Sequence, residues 1–94
     1  MNYQVFFSSH ANKERDALDP RMKRRVEDHL RMLSLDPWDS RLSRPLKGAR
    51  GTRRSRVGDW RIVYYPDSDL KHLIVERVGH RREVYRGGPR SWLL

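Results

Sequence analysis

Residues 53–65, RRSRVGDWRIVYY, carry the strongest fold signal in the chain. Gly58-Asp59 stands between two runs of β-prone residues, the pattern of a two-residue hairpin turn with glycine first. With that turn, Val57 pairs with Trp60, Arg56 with Arg61, Ser55 with Ile62 and Arg54 with Val63. Paired residues share a face and successive residues alternate. Val57, Trp60, Ile62 and Tyr64 therefore form a core face, and Arg54, Arg56 and Arg61 gather on the other. Cations directly opposite one another destabilise a sheet unless an anion or a carboxylate sits between them. The cluster is thus either an anion receptor or a solvated face whose arginines pair with Asp59 or a helix carboxylate.

Downstream of the hairpin, Pro66-Asp67-Ser68-Asp69 marks another turn and Leu70–Val78 another strand, whose unbroken Leu73-Ile74-Val75 suits a position near the sheet centre. β-structure is expected to about Tyr85, followed by an irregular tail, 87–94, ending in the apolar Trp92-Leu93-Leu94. Upstream, Tyr3–Ser9 alternates as a strand and Ser8 or Ser9 offers an N-cap for a short helix from His10 to about Leu18. Asp19-Pro20 opens a second helix to about Leu33, with Met22, Val26, Leu30 and Leu33 as its apolar stripe and Lys23, Arg24, Glu27, Asp28 and Arg31 on its solvated face. Asp36-Pro37 stops it. Trp38–Gly51 has no clean period and reads as an extended loop, made basic by Arg41, Arg44, Lys47 and Arg50. The expectation is one α+β domain over residues 1–94: an N-terminal strand, a two-helix hairpin and an antiparallel meander sheet, with the helices on one face and the basic face open.

Composition bounds the partners. The 94 residues carry 21 Lys plus Arg against 12 Asp plus Glu, a net charge of +9 that favours polyanions. Seventeen of those cations are arginines, whose planar fork suits bidentate phosphate contact. The absence of cysteine excludes disulfides, thiolate metal sites and a thiol nucleophile. No stretch reaches the roughly 20 apolar residues of a membrane span, and the start, MNYQVFF, lacks a signal peptide's apolar region, so the expected location is the cytoplasm with no membrane partner.

The segment VGHRREVYRGG, 78–88, adds to the basic chemistry. On an extended strand Arg77 and Arg81 share a parity, with Tyr85 four residues on, and an arginine-lined sheet bearing an aromatic is a platform for phosphates and stacked bases. His80, the one side chain here with an ordinary pKa near neutrality, is either a catalytic auxiliary or structural. His10, His29, His72 and His80 lack metal-ligand spacing, and neither a magnesium-binding carboxylate pair nor a phosphate-cradling glycine loop nor a nucleophile elbow is present. Phosphoryl chemistry on this chain would need neither metal nor cofactor.

PLKGARGTRRSRVGDWRIVYY (45–65) followed by VERVGHRREVY (75–85) resembles the RelE/ParE superfamily of toxins from type II toxin–antitoxin modules, and the similarity extends to the opening YQVFFS strand and the two-helix insert. The resemblance implies one of two activities: RelE-like members cleave mRNA in the ribosomal A site, and ParE-like members poison DNA gyrase. A third reading is a non-catalytic nucleic-acid-binding homologue. RelE-like catalytic positions map onto Arg54, with Arg56 nearby, Arg61, Arg81 and Tyr85, and this chain keeps them in type. Thr52 and Arg54 stand where RelE itself has lysines. The implied reaction is attack by the ribose 2′-hydroxyl on the adjacent phosphorus, giving a 2′,3′-cyclic phosphate. Arg61 and Arg81 would stabilise the phosphoryl oxygens, Arg54 or Arg56 the leaving oxygen, and Tyr85 would transfer a proton or stack on a base. Lys47, Arg50, Arg53, Arg56, Arg77 and Arg82 are expected to bind RNA phosphates, with His80 as auxiliary. The implied partners are the ribosome and mRNA, a cognate antitoxin covering the basic groove or displacing Tyr85, and operator DNA only as the toxin–antitoxin complex.

Overall fold

Capping chemistry sets the helix starts. In the computed structural model, which describes residues 2–84, the Ser8 hydroxyl accepts the Ala11 N–H at 3.1 Å and opens α1 (Ser9–Asp16). Asp19 accepts the Met22 N–H at 2.9 Å and opens α2 (Pro20–Leu35), with Pro20 in the first turn where its missing N–H costs nothing. α1 stops two residues short of the expected Leu18, because the Ala17 and Leu18 amides turn back onto the Lys13 and Arg15 carbonyls and draw Leu18 into the core. α2 overruns its expected end to Leu35 and buries Val26, Leu30 and Leu33.

Five strands complete the fold: β1 (Gln4–Phe7), β2 (Ser43–Pro45), β3 (Arg53–Val57), β4 (Trp60–Asp67) and β5 (His72–His80). They form one sheet in the order β1-β5-β4-β3-β2. β2 to β5 make the expected antiparallel meander, and β1 runs parallel to β5 at the far edge, so the sheet is mixed. β2 corrects the reading of 38–51 as loop throughout. Its three residues pair with β3 (Ser43 with Ser55, Arg44 with Arg54, Pro45 with Arg53), and Pro45 is tolerated because β2 is an edge strand. The β3–β4 register is the one the turn dictates, Arg56 facing Arg61 and Val57 facing Trp60, with Gly58 at φ 62° as its first turn residue.

The two helices pack on one face of the sheet. There Val57, Ile62, Tyr64, Leu73, Val75 and Val78 meet Ala11, Leu18, Val26, Leu30 and Leu33. The Tyr64 hydroxyl donates to the Pro37 carbonyl at 2.6 Å and so ties the sheet centre to the chain leaving α2, while burial pushes its pKa up. On the opposite face the buried apolar cluster among the described residues is small, Leu46, Val63 and Val84. Among the described residues no helix covers that face, and none is long and apolar enough to cross a membrane.

β5 departs from simple alternation twice. Its register with β4 slips between Val63 and Tyr64, so that Val63 faces Arg77 and Tyr64 faces Val75, leaving Glu76 as the extra residue of a bulge. The strand then ends at His80, where the Glu83 and Val84 amides fold back onto the His80 carbonyl. The expectation of β-structure to about Tyr85, with Arg77 and Arg81 on one strand face, is corrected accordingly. Tyr85 and the 87–94 tail lie outside the described residues.

Candidate functional site

The register of β2, β3 and β4 sets Arg44 opposite Arg54 and Arg56 opposite Arg61, two successive like-charged pairs on the face away from the helices. Like charges directly opposite one another cost stability unless an anion or a carboxylate sits between them. Among the described residues Arg44, Arg54 and Arg56 make no ion pair. Arg41 differs: its guanidinium forks onto Asp39, at 3.1 and 2.8 Å, and that hydrogen bonding holds the Asp39 carboxyl down to about 2.

Arg61 is the best-fixed member. It is 8% exposed, and its Nη1 donates to the Gly58 and Trp60 carbonyls, each at 3.0 Å, so the guanidinium is held against the hairpin turn. The same turn holds Arg81, whose N–H donates to the Asp59 carbonyl at 2.8 Å and whose Nε lies 4.0 Å from the Asp59 carboxylate. Arg81 follows the end of β5, so the hairpin turn and not strand parity fixes its position, and it does not line the cavity formed by the other arginines. Arg54, Arg56 and Arg61 line one cavity of about 520 Å³ with Arg41, Arg44, Ser40, Leu42, Ser43 and His29.

The remaining expected contacts separate into two groups. Lys47, Arg50 and Arg82 are exposed. Arg53 and Arg77 are engaged elsewhere: Arg53 donates to the Ser43 hydroxyl and carbonyl at 2.9 and 3.3 Å, and Arg77 forks onto Glu14 of α1 at 3.2 Å, with Glu14 also accepting the Val78 N–H at 2.9 Å. The bulge at Glu76 sets Arg77 opposite Val63, and from there its guanidinium is engaged by Glu14 of α1. His80 sits edge-on to Trp60 at 5.9 Å and its Nδ1 accepts the Arg82 N–H, outside the arginine cavity. Among the described residues no three His, Asp or Glu side chains are grouped to hold a metal ion.

Two polar groups carry little signal in the sequence. His29 reaches from α2 to the Ser55 hydroxyl at 2.5 Å and lines the arginine cavity, and burial lowers its pKa. Its one sequence signal is its place three residues after Val26 and four before Leu33, on the edge of the apolar stripe. Glu76, on the bulge, has one carboxylate oxygen buried without a partner, and burial raises its pKa. A bulge has no sequence signal of this clarity.

Residues 5–85 match the family model described as the ParE toxin of the type II toxin–antitoxin system parDE. Toxin RelG of Mycobacterium tuberculosis (strain ATCC 25618 / H37Rv) is 33% identical over 88 residues, covering 92% of this chain and 99% of RelG. The toxin–antitoxin complex RelBE2 of M. tuberculosis contains a chain that superposes with a TM-score of 0.76 at 30% identity, covering 86% of this chain and all of that one. A chain of the intact E. coli RelBE toxin–antitoxin complex shares the fold, with a TM-score of 0.75 at 20% identity over 83% of this chain and 95% of its own.

Proposed function

The chain belongs to the RelE/ParE superfamily of type II toxin–antitoxin toxins, and we propose that within it this protein is a ribosome-dependent mRNA endonuclease, held inactive by a cognate antitoxin. The observation that supports this reading is the convergence of Arg54, Arg56 and Arg61 on one cavity, beside the turn that carries Arg81. Guanidiniums fixed before substrate arrives stabilise the charge that builds on phosphoryl oxygens during attack by the 2′-hydroxyl, and they need no reorganisation to do so. Arg61, held by two carbonyls, has that role, together with Arg81, which is anchored on Asp59 of the same turn. Arg54 and Arg56, both exposed, neutralise the departing oxygen, and Lys47, Arg50 and Arg82 hold flanking phosphates. Arg53 and Arg77 stabilise the fold through Ser43 and Glu14 and are not assigned to RNA. Tyr85 remains the phenol that transfers a proton or stacks on a base. The cleavage takes place in the A site, where the ribosome orients the message and supplies rate that so small a set of groups cannot. No metal ion enters the step.

The antitoxin covers this basic face, and the toxin–antitoxin pair, not the toxin alone, engages operator DNA in the cytoplasm. A ParE-like attack on gyrase is the competing activity within the same superfamily. The purified protein decides between them when added separately to a translation extract and to a gyrase supercoiling reaction. Translation should stop with shortening of the message while supercoiling proceeds. Blocked supercoiling with intact message would refute the nuclease reading.

A further inference from the structure

A cavity lined by arginines binds phosphate but moves no proton, because a guanidinium keeps its proton up to a pKa above about 12. Besides its five arginines, the arginine cavity is lined by Ser40, Leu42, Ser43 and His29. Leu42 has no titratable group, a serine hydroxyl is no base at neutral pH, and Ser43 is already bonded to Arg53 and the Pro37 carbonyl. His29 is the remaining one, and its tautomer follows from its hydrogen bonds. The Ser55 hydroxyl is 2.5 Å from the Leu42 carbonyl, which only accepts, so Ser55 donates its single proton there. At 2.5 Å from His29 Nε2, the Ser55 oxygen must then accept, and His29 carries its proton on Nε2. Nδ1 is left with a lone pair.

We propose that His29 is the general base of the cleavage: Nδ1 takes the proton from the ribose 2′-hydroxyl, while Ser55 and the Leu42 carbonyl fix the ring's tautomer and orientation. This rests on the nuclease reading above. In the step, O2′ forms its bond to phosphorus as the P–O5′ bond breaks. The 2′ proton passes to Nδ1, O5′ takes a proton from water, and the imidazolium returns its own proton to solvent. The charged groups on the cavity walls are cations, Arg41 and Arg44 from the 38–45 segment, Arg54 and Arg56 from β3 and Arg61 from β4, with Asp39 already occupied by Arg41. Burial keeps the resting imidazole neutral and therefore able to accept. A phosphate bound by those cations would bring negative charge beside the ring and favour the imidazolium as the proton is taken.

His29→Gln separates this role from a structural one, since the glutamine amide still donates to Ser55 but offers no basic nitrogen. The assay is single-turnover cleavage of ribosome-bound message at several pH values, with wild type and variant on the same ribosomes and a thermal melt of each protein. Wild-type kcat/KM should fall on the acid side with an inflection below the ordinary histidine value of 6.5, and the variant should fold, cleave at least about 100-fold more slowly and lack that inflection. A folded variant within about threefold of wild type, or a wild-type profile with no acid limb, overturns the assignment of His29 while leaving the nuclease reading standing. Wild-type protein that cuts no message overturns both.

Discussion

The two faces of the sheet are built from the same strands and answer to different demands. On β4, Ile62 and Tyr64 point to the helices and are fully buried, whereas Arg61, between Trp60 and Ile62, points the other way. The helix face is closed: apolar side chains from both layers meet, and the buried hydroxyls of Tyr64 and Ser55 have the Pro37 and Leu42 carbonyls as partners. The arginine face holds two like-charged cross-strand pairs, an arrangement that an anion placed between the charges stabilises. The covered face thus supplies the stability that lets the open one keep its cations together, ready for phosphate. Damage to either face should therefore affect a different observable.

The largest effect is expected on the arginine face. Arg54→Ala with Arg61→Ala should slow cleavage of ribosome-bound message by about 1,000-fold, the scale of removing fixed electrostatic groups from a reacting centre. The melting temperature should fall little, because relief of the Arg44–Arg54 and Arg56–Arg61 repulsion offsets the two lost carbonyl contacts of Arg61. Ile62→Ala on the covered face should do the converse, costing about 3 kcal/mol in denaturant unfolding with the cleavage rate of the folded fraction retained.

The contrast between the faces is legible in the sequence because of one turn. Gly58 at positive φ admits a tight hairpin, and once the turn is placed every residue of β3 and β4 has its partner and its face. The helices are legible for a similar reason, since Ser8, Asp19 and Pro20 carry their own start signals. Other parts are hidden by physics that leaves no local trace. β2 is three residues long and exists because β3 offers it an edge, not because Ser43, Arg44 and Pro45 favour a strand. The Glu76 bulge shifts parity by one residue, so Arg77 leaves the face of Leu73 and Val75 and stands opposite Val63, and an alternation rule applied through it fails. Arg81 reaches its place by a backbone bond to Asp59 that no periodicity encodes. His29 stays hidden because a histidine beside an apolar stripe reveals its partner only when β3 is laid against α2.

Smaller changes probe the covered face more finely. Tyr64→Phe removes the hydroxyl from a buried site and leaves the Pro37 carbonyl without it, for a loss of about 1 kcal/mol read by denaturant titration and no change in cleavage. Asp19→Ala removes the α2 cap and should cost slightly less, with urea unfolding as the measurement. The smallest effect is a pH dependence. The folded state holds His29 below its unfolded value of 6.5, so at mildly acidic pH the unfolded chain binds more protons there than the folded one. Its contribution to stability is present above 6.5 and declines as pH falls from 6.5 toward the lowered folded value. Thermal midpoints measured across mildly acidic to neutral pH should show a decline that is shallower in His29→Gln.

Mapping of 5′ ends by primer extension on ribosome-bound message bears on the arginine face without intermediaries. Wild-type protein should produce new ends inside the codon in the A site, absent from free RNA, unaffected by excess EDTA and lost with the Arg54→Ala, Arg61→Ala double variant. A protein that stops cell growth yet leaves the message uncut, or a double variant that cuts as wild type does, would contradict the arginine face as the site of RNA cleavage.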